Sequence, residues 1–107
     1  MAGTIPLSEL AKAIRSKNAG VDKITFDVIF RDRANFEHVR DSGVISRAAI
    51  CRLFNVPDTR ISDHVEFEAA LAIKFTLFRK APSGSVGDGD VFGSQQYAPL
   101  LGVEVPI

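Results

Sequence analysis

The sequence is short of several things, and each shortage excludes something. It has one cysteine, Cys51, and no tryptophan. A lone cysteine excludes an internal disulfide, and without clustered cysteines there is no zinc-finger spacing, so a reducing compartment is the simpler expectation. No window approaches the roughly 18 apolar residues of a membrane span. The opening MAGTIPLSELAKAIRSKNAG has no apolar run of signal-peptide length, and the expected location is the cytoplasm. An excess of one charge is missing too. Thirteen Lys and Arg balance thirteen Asp and Glu, so no overall field draws the chain to nucleic acid or an anionic membrane. The basic residues are scattered rather than interleaved with aromatics, which also argues against a nucleic-acid module.

What is present describes a globular protein. Hydrophobic residues make up 46% and charged residues 24%, which excludes disorder throughout. The 107 residues suit a single domain, 1–107, able to bury roughly two-thirds of its unfolded surface. Eight Phe against one Tyr is a core-weighted aromatic set, since binding surfaces favour Tyr, Trp and Arg.

Along the chain, Leu7, Leu10, Ala11 and Ile14 have the spacing of one helical face, which predicts a helix from Pro6 or Ser8 to about Ser16. RSKNAG then reads as its C-cap. Ile24, Phe26, Val28 and Phe30 alternate with more polar neighbours as a strand does. Asp32 can cap a short helix whose apolar positions are Ala34 or Phe36 with Val39, closed by Ser42-Gly43. Ser46 can cap another with Ala49, Ile50, Leu53 and Phe54 in a stripe, stopped by Asn55 and Pro57. After a turn or a single helical turn over Asp58 to Asp63, strands are expected around Val65 and Phe67 and from Leu71 to Phe78, joined as a hairpin, and Val103 to Pro106 can add an edge strand. The expected fold is α+β: a small, mainly antiparallel sheet with about three helices packed on one face.

Lys80 to Tyr97, KAPSGSVGDGDVFGSQQY, has no periodicity and reads as a loop. Structureless loops longer than about 12–15 residues are uncommon and usually functional or disordered. Val91-Phe92 and Tyr97 to Leu101 can pin this one at its far end. Ser83, Gly84 and Ser85 with Gly87 and Gly89 can form a nest of N–H groups facing an anion, helped by Arg79 and Lys80, or simply a mobile loop. There is no phosphate-loop pattern. Asp88 and Asp90 lack the remaining ligands of a calcium loop, so no metal site is expected. Gln95, Gln96 and Tyr97 offer hydrogen bonds to a ligand, a partner or their own sheet.

Four segments carry a resemblance: RSKNAG at Arg15 to Gly20, TFDVIF at Thr25 to Phe30, IKFTLFR at Ile73 to Arg79, and SGSVGDGDVFGSQQYAPLL at Ser83 to Leu101. Across nearly its whole length the chain resembles a family of small bacterial proteins, a domain of unknown function. Its members accompany, or are fused to, larger proteins of the acyclic-terpene-utilisation A type. The resemblance implies an accessory subunit in the catabolism of organic acids or acyl-CoA-type metabolites, and it brings no settled reaction or cofactor. Where members often carry Tyr before the motif glycine and His after the Gln pair, this chain has Phe92 and Tyr97, which argues against proton transfer at the second position.

The remaining candidate residues are on regular elements. Arg15 and Lys17, with Asn18 beside them, can grip a carboxylate or merely suit a helix end. Asp27 and Lys74 can pair across neighbouring strands, or both can lie under a cofactor or a partner. Cys51 reads as a structural thiol, and His38 and His64 have no acid or nucleophile at motif spacing, so there is no triad. Two functions fit. One is a non-catalytic subunit that docks on a larger enzyme through the 80–97 loop and the Lys74 face. The other is a self-sufficient enzyme, with homo-oligomerisation open, that binds a carboxylate-bearing substrate around Arg15, Lys17, Asn18, Asp27 and Lys74.

Overall fold

Alternation builds the main sheet. In the computed structural model, which describes residues 3–20, 22–79 and 98–107, Ile24, Phe26, Val28 and Phe30 lie on the inward side of strand β3 (Lys23–Phe30) and are all buried. Ile73, Phe75 and Leu77 do the same on β5 (Ala72–Phe78). These two central strands pair antiparallel, Asp27 opposite Lys74 and Phe26 opposite Phe75. β2 (Ala11–Asn18) flanks β3, and β4 (Ile61–Phe67) flanks β5, giving the order β2-β3-β5-β4 with every pairing antiparallel. A second, two-stranded sheet joins β1 (Thr4–Pro6) to β6 (Glu104–Pro106).

The helices end where their cap residues dictate. Asp32 accepts a hydrogen bond from the Asn35 amide at 2.8 Å and starts α2 (Arg33–Ser42), and Gly43, at φ +74°, ends it in the left-handed conformation. Ser46 accepts from the Ala49 amide and starts α3 (Arg47–Phe54), which Asn55 ends at φ +55°. With the single turn α1 (Leu7–Leu10), these helices send Leu7, Phe36, Val39 and Ile50 into the same core cluster as the inward residues of β3 and β5. The helical layer therefore covers one face of the sheet, as expected for an α+β fold. Phe26 stacks on Phe75 with ring centroids 4.7 Å apart, and Phe54 of α3 closes over both.

The first expected helix is the main correction. Only Leu7–Leu10 is helical, and Ala11–Asn18 is strand β2, so RSKNAG is no helix cap. Arg15 to Asn18 lie in the strand, and Gly20, at φ +93°, serves the turn into β3, where the Ala19 amide donates to the Lys23 carbonyl. The same apolar spacing fits both forms over so few residues. β2 breaks register between Ala11 and Ala13 and puts buried Ser16 on its inward side, so its alternation is interrupted and partly polar. Two smaller shifts follow. β4 begins at Ile61, after one 3₁₀ turn at Asp58–Arg60, and β6 pairs with β1 rather than with the main sheet.

Candidate functional site

The side of the sheet away from the helices carries the polar residues that the sequence singles out. Directly opposed residues of antiparallel strands share a face, so the register writes this face in rows. One row runs Arg15, Asp27, Lys74, Val65 across β2, β3, β5 and β4, and the next runs Lys17, Thr25, Thr76, Asp63. Phe67 stands opposite Ala72 near one end of the face and Phe78 opposite Lys23 at the other. Both rings are exposed, Phe67 by 46% and Phe78 by 37%.

Asp27 is the centre of this arrangement. Its carboxylate lies 3.6 Å from Arg15 Nε and 3.9 Å from Lys74 Nζ, with the Asp27 side chain only 12% exposed and that of Arg15 65% exposed. A little-exposed carboxylate between two cations is compensated for its desolvation and restricts both cations to the sheet surface. Beside it the hydroxyls of Thr25 and Thr76, both buried, lie 3.1 Å apart and satisfy one another. Lys74 Nζ also sits 6.0 Å from the centre of the Phe67 ring, and Lys23 Nζ is 5.2 Å from that of Phe78. At each end of the face, therefore, a lysine stands over an aromatic ring.

The structure brings Arg15, Lys17, Asp27 and Lys74 together and separates Asn18 and Arg79 from them. Asn18 is opposite inward-facing Ile24, so it belongs to the other side of the sheet, where its Oδ1 accepts a hydrogen bond from Arg79 Nη1 at 2.7 Å. The expected pairing of Asp27 with Lys74 is present, whereas Arg15 meets Asp27 from a strand and not from a helix end. Ser83, Gly84, Ser85, Asp88, Asp90, Gln95, Gln96 and Tyr97, with the rest of the 80–97 loop, lie outside the described residues. Phe67 and Lys23 join the face only in three dimensions: the alternation of β4 marks Phe67 as an apolar strand position without saying which side it takes, and Lys23 precedes the apolar run of β3.

A second concavity, of about 410 Å³, opens between β4 and the α2–α3 connection and is lined by Arg40, Arg47, Ser46, His64 and Glu66 over Val39, Ile45 and Ile73. Arg40, Arg47, Ser46 and His64 already have partners. Arg40 hydrogen-bonds Asp41 and Glu68, Arg47 grips both oxygens of Asp58, and His64 Nε2 lies 2.7 Å from the Ile45 carbonyl oxygen. The hydrogen bond to Asp41 raises Arg40 above its ordinary value, and that to Asp58 does the same for Arg47. Among the described residues no three His, Cys, Asp or Glu side chains are grouped to hold a metal ion. No described helix is long and apolar enough to cross a membrane.

Fold and site together define a small α+β domain whose main sheet is layered by helices on one face and carries an ordered charged surface on the other. The chain belongs to the family described as a domain of unknown function, DUF4387, whose model matches residues 7–104. Neither a curated protein nor a solved structure matches it.

Proposed function

We propose that this chain is a small accessory subunit that docks on a larger enzyme, and that the face carrying Arg15, Asp27 and Lys74 is its docking surface. One observation supports this most. The face holds two exposed phenylalanines flanking cations held by a little-exposed carboxylate, and the described helices all lie on the opposite side. Sheets usually bury a face with such apolar content against another layer, and a partner protein can provide it. The segment 80–97, which follows β5 directly, is the second docking element in this reading. The sequence resemblance supplies the larger partner, a protein of the acyclic-terpene-utilisation A type, and the setting, bacterial catabolism of organic acids or acyl-CoA-type metabolites.

Purification of the tagged chain from its native host tests the proposal. The expected result is recovery with a large companion that is lost when Phe67 and Phe78 are both changed to Ser. Recovery as a lone monomer at every concentration would overturn it. A second reading, a carboxylate-binding enzyme, draws support from Arg15, Lys17 and Lys74 sharing one face. A thermal-shift screen of di- and tricarboxylates and acyl-CoA compounds discriminates, because only this reading expects the isolated chain to be stabilised at saturation.

A further inference from the structure

The charge on the open face identifies the kind of partner it suits. Four cations, Arg15, Lys17, Lys23 and Lys74, stand there against two carboxylates, Asp27 and Asp63, a formal excess of two positive charges on a chain whose total is zero. Two copies meeting face to face would oppose like charges, which costs binding energy. Phe67 and Phe78 lie about six residues apart along the sheet, a span of about 20 Å at strand rise. That is too long for one small metabolite to touch both rings, and it suits a macromolecular surface.

Arg15 is the best placed of the cations to meet a partner's carboxylate. Its Nε lies 3.6 Å from the Asp27 carboxylate, and its side chain is 65% exposed. Among the described residues no hydrogen bond engages its terminal nitrogens, whose planar fork matches a carboxylate with two parallel bonds. Asp27 restricts where that fork points, so less side-chain freedom is lost on binding.

We infer that the partner is a different protein, presenting an acidic surface with apolar side chains at its flanks: carboxylates meet Arg15 and Lys17, and the apolar flanks cover Phe67 and Phe78. This rests on the docking reading above and names the chemistry of the docked surface.

The test is an NMR titration of isotopically labelled chain at low salt, with two synthetic peptides as probes. One alternates Glu with Leu and Phe, and the other has Lys in place of every Glu. The expected result is that only the acidic peptide moves the resonances of Arg15, Lys17 and Lys74, that added salt weakens it, and that the Arg15→Gln, Lys17→Gln double variant lowers its affinity by about tenfold. If both peptides, or the basic one alone, move these resonances, the acidic-partner inference falls while docking through this face stands. Shifts confined to the helical side, or none with either peptide, would overturn both. Concentration-dependent shifts of the same residues in the chain alone would give the face to a second copy and overturn the inference.

Discussion

Replacing Phe75 by Ala tests the assignment of the two sheet faces, on which the proposed docking surface depends. The Phe75 side chain is wholly buried, stacked on Phe26 at 4.7 Å with the rings 10° from parallel, and its ring centre lies 6.0 Å from that of Phe54. Truncation removes the transfer energy of a buried ring and leaves a cavity that its neighbours close only in part, a loss of about 3–5 kcal/mol. Of this, about 0.5–1.5 kcal/mol is the stacking itself. Phe78 is only three residues away and points to the other face, where it is 37% exposed with Lys23 Nζ 5.2 Å from its ring centre. Its truncation should cost about 1 kcal/mol, since only part of a buried side chain's contribution is lost. Urea titrations followed by circular dichroism measure both, and unchanged slopes would show that the unfolding transition itself is comparable. The reasoning is refuted if Phe75→Ala costs under about 1 kcal/mol, or if Phe78→Ala costs more than Phe75→Ala.

Other substitutions examine single features. Thr25→Val or Thr76→Val alone should destabilise by about 1–3 kcal/mol by leaving a buried hydroxyl unpaired. The double replacement should cost clearly less than the two singles added, and strict additivity in the same titrations would argue that the hydroxyls at 3.1 Å are not bonded. Asp27→Asn should cost about 0.2–1 kcal/mol per lost ion pair at low salt and less at high salt, because Arg15 and Lys74 are partly exposed and can be solvated again. A loss of equal size at both ionic strengths would contradict this. Gly43→Ala meets no steric neighbour within 4 Å but must hold φ +74°, so a loss of about 1 kcal/mol or more is expected, and a gain in melting temperature would contradict it. Asp32→Ala should cost about 0.5–2 kcal/mol through the lost bond to the Asn35 amide, and an unchanged melting temperature would show the cap to be idle.

The strands and caps that the sequence made legible share one property: their signal is local. β3 and β5 alternate without interruption, and Asp32, Gly43, Ser46 and Asn55 sit where cap chemistry requires them. β2 was misread because its strand character comes from pairing with β3, while its own pattern is broken by the Ala11/Ala13 register shift and by inward Ser16. The β4–β5 turn has no Asn-Gly. Leu71 takes its left-handed position at φ +51°, which a residue with a Cβ adopts at a cost of about 1–2 kcal/mol, so no turn signal marked it. For the site, the opposition of Asp27 and Lys74 followed from two alternations. The place of Arg15 beside them could not, because it depends on how a third strand registers against β3.

The most direct measurement is chemical footprinting of the proposed complex, purified from the native host, labelling lysine amines and arginine guanidiniums with and without the proposed large companion. The account predicts protection of Arg15, Lys17 and Lys74 on binding, with Arg33, Arg47 and Arg52 of the helical side labelled as before. Protection of the helical arginines with Arg15 and Lys74 still reactive would contradict it.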